Sequence, residues 1–247
     1  MSRISPSRSL GDLVAERPAR ARLFERLRFD YCCGGAQTLA EACARRGLDP
    51  DTVGELLAAL DDAPDAGPDP LEDTDWRRAT IAELCDHIVA VHHDRMRREL
   101  PRTAELMATV VRVHGPDHPE LHDLQRLFTA MRDELDHHLE LEERALFPIC
   151  RALEAPGDAG VELDEGTLAL LEDEHSGTGD ALAAIRELAD DYDPDRALCG
   201  THRALFEALH ALELDLHEHV HEENNVLFPR VRELAGAAGA QAAGGRS

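Results

Sequence analysis

The sequence predicts an all-α protein in which a small helical module precedes an antiparallel four-helix bundle. Leu, Ile, Val and Ala recur at helical spacing in four long segments after residue 75, and no segment shows the alternation of a half-buried strand. Short connections join these segments, which favours antiparallel packing of neighbouring helices. Aromatic residues make up only 4% of the chain, so we expect aliphatic side chains to fill most of the core.

The N-terminal module is predicted to contain short helices. Ser9 or Asp12 is a suitable N-cap for the first helical run, which Pro18 interrupts. A second helix contains TLAEACARRG and ends at Gly47, and a third begins near Asp51. A module of this size has a thin core of its own.

Composition changes mark the predicted domain boundaries. The stretch from Asp61 to Asp75 is rich in Pro, Gly and Asp, which is typical of a linker. The final residues lack large apolar side chains and are predicted to be disordered. The predicted organisation is a helical N-terminal domain over 1–62, a linker over 63–75, the bundle over 76–234 and a disordered tail over 235–247.

Prolines help to delimit the four bundle helices. Pro119 suits the first turn of a helix, and Pro101 predicts a kink. The predicted helices run from about Asp75 towards Arg112, from Pro119 to about Ala155, from about Asp164 to Asp190, and from beyond Pro194 to about Leu234.

The net charge of −24 argues against nucleic acid and anionic lipid as partners. We expect no transmembrane helix, because no apolar stretch of about 18 residues occurs. The N-terminus has no apolar h-region, so the predicted location is the cytoplasm, where a disulfide framework is not expected. One basic cluster is either a docking patch or a solvated helix face: Arg17, Arg20, Arg22, Arg26 and Arg28.

Two bundle helices repeat one pattern of histidine and glutamate. His138 and Glu142 precede a Leu-Phe-Pro sequence in the second helix, and His219 and Glu223 precede another in the fourth. In both helices the histidine lies nine residues before the phenylalanine and the glutamate lies five before it. Residues four apart share a helix face, so each helix presents an imidazole and a carboxylate in the same direction.

The first and third helices supply two further histidines. His93 precedes His138 by nearly the same interval as His175 precedes His219. Antiparallel folding of two such helix pairs would bring all of these side chains to one level of the core. The predicted metal ligands are His93, His138, Glu142, His175, His219 and Glu223.

Imidazole and carboxylate ligands suit iron and manganese, and helix bundles hold dinuclear metals between facing helices. If each glutamate bridges both metals and each metal takes two histidines, one oxo or hydroxo bridge makes every metal five-coordinate. One position then stays open for a small diatomic or for metal loss. His217 and His221 form an HxxxH pair that could also bind metal, and Glu134 or Glu174 could orient an imidazole.

Cys32 and Cys33 form a separate motif. Gly34 and Gly35 follow them, so we expect a flexible, exposed turn. Arg28 could lower the pKa of a thiol and favour the thiolate. Such a pair could accept iron, exchange disulfides or supply reducing equivalents. The remaining cysteines are predicted to pack within helices: Cys43, Cys85, Cys150 and Cys199.

These motifs resemble the repair-of-iron-centres (RIC) family, the iron-sulfur cluster repair di-iron proteins of the YtfE/ScdA type. FDYCCGGAQTLAEA is similar to the family's Asp-Tyr-Cys-Cys-Gly-Gly signature, and HHDR, HLELEERALFP, EDEH and HEENNVLFP resemble its hemerythrin-like domain. The resemblance implies that the same six residues bind two non-haem iron ions, bridged by an oxo group and by the carboxylates of the two glutamates.

The resemblance first implies repair of iron-sulfur clusters after nitrosative or oxidative stress. In this role the protein donates iron to damaged or apo iron-sulfur proteins, and Cys32 and Cys33 assist iron transfer or redox chemistry. The alternative activity is enzymatic reduction of nitric oxide at the di-iron site. A hemerythrin that binds oxygen ranks third, because the fourth helix offers HxxxE rather than the HxxxxD of oxygen carriers. Nitric oxide and oxygen are the expected small ligands. The sequence leaves open whether the protein forms a homodimer.

Overall fold

The computed structural model describes residues 4–62, 74–155 and 163–244, and helices are the regular elements of these ranges. The all-α prediction is confirmed. The chain divides into two compact units, one made of Met1–Leu84 with His217–Ser247 and the other of Cys85–Leu216. The predicted domain boundaries stay a prediction, and most of the predicted linker lies outside the described residues.

Eight helices follow one another along the described ranges. In the N-terminal part these are α1 Leu10–Glu16, α2 Ala21–Leu27, α3 Leu39–Arg46 and α4 Pro50–Asp62. Helix α5 joins Ile81–His87, the π-helical Ile88–His93 and Asp94–His114, and α6 joins Glu120–Leu141, the π-helical Glu142–Leu146 and Phe147–Glu154. Helix α7 is Glu165–Leu188, and α8 joins Gly200–Glu222, the π-helical Glu223–Leu227 and Phe228–Gly244.

Side-chain caps fix the ends of the N-terminal helices. The Ser9 hydroxyl accepts a hydrogen bond from the Asp12 N–H at the start of α1. Thr38 and Glu41 form a capping box at the start of α3. Gly47 ends α3 with φ 66°, a conformation that glycine adopts without steric cost.

Two bundle helices differ from their predicted bounds. Helix α5 begins at Ile81 rather than near Asp75, because Thr80 caps it and Glu83 bonds back to the Thr80 N–H. Helix α8 continues to Gly244, beyond the predicted end at Leu234 and through most of the predicted disordered tail. Its last residues are rich in alanine, which has the highest helix propensity.

Each unit has an aliphatic core, as the low aromatic content predicts. In Cys85–Leu216, parts of α5 to α8 form the four-helix bundle, and fully or almost fully buried Leu100, Phe128, Ile185 and Leu209 come from its four helices. In the other unit the helices α1 to α4 enclose a smaller core that includes Leu13, Phe24, Leu39 and Leu57. Within the described ranges, none of the helices combines the length and apolar character that a membrane span requires.

The basic cluster is not a uniform surface patch. Arg20 is buried, and its guanidinium donates hydrogen bonds to the carboxylate of Asp61 at 2.6 Å and to the carbonyl of Leu13 at 3.0 Å. It therefore ties α4 to the end of α1. Arg20 is therefore neither part of a docking patch nor on a solvated helix face, because its side chain and its ion pair lie inside the module.

Candidate metal centre

Three histidines and one glutamate converge inside the unit Cys85–Leu216. The Glu142 carboxylate lies 3.4 Å from His93 Nε2, 3.1 Å from His138 Nε2 and 3.9 Å from His175 Nε2. The Nε2 atoms of His138 and His175 are 3.0 Å apart. None of the four side chains is appreciably exposed. Helices α5, α6 and α7 therefore direct three imidazole nitrogens at a single buried carboxylate.

Further carboxylates hold the opposite nitrogen of two of these imidazoles. His93 Nδ1 lies 2.7 Å from Glu143 Oε1, and His138 Nδ1 lies 2.7 Å from Glu174 Oε2. An ionised carboxylate only accepts hydrogen bonds, so each Nδ1 is the donor, and the neutral imidazole then keeps its lone pair on Nε2. This arrangement is typical of metal-binding histidines.

The partners of Glu143 keep it ionised. Burial raises the pKa of its carboxyl, but hydrogen bonds from His93 and from Arg97 outweigh that effect and lower the pKa. Glu174 was one of two candidates for this orienting role in the sequence, and it contacts His138. Glu143 was missed, although its place directly after Glu142 in the HxxxEE pattern was a usable signal.

The second His/Glu couple lies in the other unit with nearly the same geometry. His219 Nε2 is 3.2 Å from Glu223 Oε1, compared with 3.1 Å between His138 Nε2 and Glu142 Oε1. Both His219 and Glu223 are buried. The repeated register in the sequence thus corresponds to a repeated local geometry.

A π-helical segment accompanies each of three predicted ligands. It ends at His93 in α5, and it begins at Glu142 in α6 and at Glu223 in α8. In α6 the N–H of Phe147 bonds to the carbonyl of Glu142, five residues back. Such segments occur often at functional sites.

The Leu-Phe-Pro repeat gives a physical reason for two of these segments. Pro148 and Pro229 lie two residues beyond the ends of these segments, after Phe147 and Phe228. Proline has no N–H for the helical ladder, and its ring clashes with the carbonyl four residues back, so a wider turn before it relieves the clash. Phe147 also stacks on the ring of His93, with centroids 5.7 Å apart.

The dicysteine motif lies in a turn whose first thiol is buried. Cys32 is only 6% exposed and Cys33 is half-buried, so the predicted exposure of the turn is wrong for Cys32. The predicted lowering of a thiol pKa by Arg28 does not hold for Cys32. The hydrogen bond to Cys33 and burial raise the pKa of Cys32 well above its ordinary value.

Residues of α8 hold this turn in place within the same unit. Asn225 Nδ2 donates to the carbonyls of Tyr31 at 3.3 Å and Cys32 at 2.9 Å. Gly35 packs so closely that an added Cβ would lie 2.0 Å from Asn225 Oδ1. The dicysteine turn is therefore seated on the helix that carries His219 and Glu223.

His217 and His221 both contact the N-terminal module. His217 Nδ1 lies 2.7 Å from Glu25 Oε1, and the ring of His221 packs on Tyr31 with centroids 5.5 Å apart. Burial lowers the pKa of His221 to about 4, so it is neutral at neutral pH. The HxxxH pair has a docking role in the structure.

The structure also gives the positions of His92 and of the four remaining cysteines. His92 is buried, and its Nδ1 lies 3.0 Å from Asp215 Oδ1. Cys43, Cys85 and Cys150 are buried, as predicted for packing residues, whereas Cys199 is exposed. Cys199 lies just before the start of α8, 3.2 Å from His114 Nε2, rather than inside a helix.

Comparison with known proteins covers nearly the whole chain. Residues 86–231 match the hemerythrin HHE cation binding domain, and residues 6–61 match ScdA_N, a domain of unknown function. The chain is 37% identical over 227 residues to proteins named iron-sulfur cluster repair protein YtfE from Escherichia coli O1:K1 and Escherichia fergusonii. It is 36% identical to that of Escherichia coli O81. These alignments cover 92% of this chain and 96% of each relative.

Proposed function

Because the chain belongs to the family of iron-sulfur cluster repair proteins that join an ScdA_N domain to a hemerythrin-like domain, we propose that it repairs iron-sulfur clusters damaged by nitrosative or oxidative stress. Iron is the cargo in this proposal. The recipients are damaged or apo iron-sulfur proteins, and the proposed location is the cytoplasm.

The proposed iron site consists of the six predicted ligands: His93, His138, Glu142, His175, His219 and Glu223. These residues would hold two iron ions, with four imidazoles and two carboxylates as the available ligands. When bound, the ions supply a redox-active, exchangeable pool of ferrous iron. This donor set fits iron, because imidazole and carboxylate without thiolate suit non-haem iron and manganese.

One observation carries the proposal: three buried imidazoles direct Nε2 at the carboxylate of Glu142. An ordinary buried ion pair would place one cationic side chain beside the Glu142 carboxylate, whereas three imidazoles surround it here. Here the Nδ1 atoms of His93 and His138 are already held by separate carboxylates, so their Nε2 lone pairs point inward. Imidazole lone pairs directed at a buried carboxylate form a ligand set that suits a divalent cation.

The partly exposed orienting carboxylates favour release of iron. The side chain of Glu143 is 26% exposed and that of Glu174 is 38% exposed. Solvent therefore reaches Glu143 and Glu174, and movement of either carboxylate away from its imidazole weakens that imidazole as a ligand. Thiolates of a damaged cluster are softer ligands that then compete for the ion.

The test is transfer of iron to an inactivated iron-sulfur enzyme under anaerobic, reducing conditions. Protein loaded with ferrous iron is added together with a chelator that captures free iron, and the recovered activity of the enzyme is measured. We expect recovery with the wild type and little with His138→Ala. The matched control is His137→Ala, which removes the exposed neighbouring imidazole and should transfer iron as the wild type does.

Recovery that is no greater than with an equal amount of free iron and chelator would reject donation. Conversion of nitric oxide into nitrous oxide over many turnovers, with iron retained, would favour the catalytic alternative. Stable, reversible oxygen binding would favour the oxygen carrier.

A further inference from the structure

The dicysteine turn brings three potential ligand atoms together outside the His/Glu site. Cys32 Sγ lies 3.8 Å from Cys33 Sγ and 3.4 Å from Asp30 Oδ1. Ligand atoms of all three residues lie within 4.8 Å of one another. Asp30 is exposed and Cys33 is half-buried, so an ion has access from solvent.

Backbone contacts fix the shape of this turn before any ion binds. The Asp30 carboxylate accepts a hydrogen bond from the Cys33 N–H at 3.0 Å, which folds it over the two thiols. Gly34 permits this closure, because an added Cβ would lie 2.8 Å from Asp30 Oδ2 and 3.0 Å from the Asp30 carbonyl. Asn225 Nδ2 also donates hydrogen bonds to the carbonyls of Tyr31 and Cys32. A preformed turn avoids most of the ordering cost of binding.

The ligand types indicate which cations suit this turn. Two thiolates and a carboxylate bind borderline and thiophilic divalent ions such as Fe²⁺, Zn²⁺ and Co²⁺ in preference to Mg²⁺ or Ca²⁺. Three protein ligands leave a tetrahedral ion one position for water or for a ligand from another molecule. The open position distinguishes this turn from a structural metal site, in which the protein supplies all four ligands.

We propose that Asp30, Cys32 and Cys33 form a second cation site, which takes a thiophilic divalent ion through one carboxylate and two thiolates. Each thiol releases its proton when its sulfur binds the ion, and no change of oxidation state is required. The site deepens the proposed function, since it gives iron a thiolate-bound stage between the His/Glu residues and a cluster protein. Its existence does not depend on that function.

Titration of the reduced, metal-free protein with Co²⁺ tests the site under anaerobic conditions. Thiolate ligands give near-ultraviolet charge-transfer absorption that imidazole and carboxylate ligands do not give. We expect this absorption in the wild type, and we expect its loss in Cys32→Ser and Cys33→Ser. The control Cys199→Ala removes the exposed cysteine of the other unit and should leave the absorption unchanged.

Asp30→Asn tests the carboxylate separately from the fold of the turn. The amide oxygen of asparagine can still accept the Cys33 N–H, but the ligand charge is lost. We expect Co²⁺ affinity at the thiolate site to fall by about tenfold or more, with an unchanged circular dichroism spectrum.

Absence of the charge-transfer band from the folded wild type would overturn the proposal, and so would a band that persists in Cys32→Ser and Cys33→Ser. Wild-type affinity in Asp30→Asn would remove Asp30 from the site. His138→Ala distinguishes the two proposals, because it should abolish iron transfer while leaving the thiolate band in place.

Discussion

In each imidazole, the hydrogen bond made by Nδ1 determines whether Nε2 can act as a metal ligand. Glu143 and Glu174 hold the Nδ1 atoms of His93 and His138, so their Nε2 atoms are available as ligands. The spacing rule that identified the histidines concerns residues on one helix. It gave no means of pairing His93 in α5 with Glu143 in α6, because that contact crosses between helices.

The substitution Glu174→Gln tests this orienting role. The amide can still accept a hydrogen bond, but it no longer has the charge that makes the His138 imidazole a stronger ligand. We expect iron affinity to fall by about 10- to 100-fold with the fold unchanged. Chelator competition measures the affinity.

Asp173→Asn is the matched control, since it removes the exposed carboxylate next in sequence and should bind iron normally. Equal affinities of Glu174→Gln and the wild type would show that the contact with His138 has no influence on the metal.

Within the helices, regular α-geometry and π-geometry serve different purposes. The His138–Glu142 and His219–Glu223 couples keep the four-residue spacing that puts both side chains on one face. The π segment then begins at the glutamate and ends just before Phe-Pro. The Leu-Phe-Pro repeat was visible in the sequence, but a change from i→i+4 to i→i+5 bonding leaves no trace in apolar periodicity, so the π segments were not predicted.

Pro148→Ala tests whether proline maintains the π segment. Alanine supplies an N–H and removes the ring, so a regular α turn becomes possible through Glu142–Leu146. We expect equal or greater thermal stability and iron affinity that is lower by about tenfold, because the Glu142 carboxylate is displaced.

The control for this change is Pro101→Ala, an exposed proline inside α5. It should leave iron affinity unaltered. X-ray absorption spectra of the iron-loaded variants report the ligand environment, and identical spectra for Pro148→Ala and the wild type would contradict the expected link between proline and site geometry.

Helix starts were predictable where the cap was recognised. Ser9, one of the two predicted caps of the first helix, and the predicted end of α3 at Gly47 agree with the structure. The start of α5 was placed too early, near Asp75, because the Thr80–Glu83 capping box was not recognised. That box was present in the sequence.

For the chain as a whole, the two ends belong to one compact unit. Helix α8 accounts for this, because one of its faces presents His217, His221 and Asn225 to the N-terminal module. His219 and Glu223 are offset from these residues by two positions along the helix and therefore lie on a different face. The sequence predicted the module and the ligands separately. The sequence could not predict the contact between Asn225 and the dicysteine turn, because hydrogen bonds between residues almost 200 positions apart have no local signal.

Asn225→Ala should loosen the dicysteine turn selectively. It removes the hydrogen bonds to the Tyr31 and Cys32 carbonyls, so the turn opens more often and its amides exchange faster, by about tenfold or more. Hydrogen-exchange mass spectrometry of the peptide that contains Gly34–Gln37 measures the change. Peptides from α3 are the internal control and should exchange as in the wild type. Unchanged exchange around Gly34 would show that Asn225 does not hold the turn.

The number and coupling of bound iron ions test the central claim most directly. Protein reconstituted with iron under anaerobic conditions, and then oxidised, is examined by metal analysis and Mössbauer spectroscopy beside Glu142→Ala. We predict about two irons per chain, antiferromagnetically coupled in the wild type, with the coupling lost or weakened in the variant. A single iron per chain, or two uncoupled irons in the wild type, would contradict a shared site formed by the six residues.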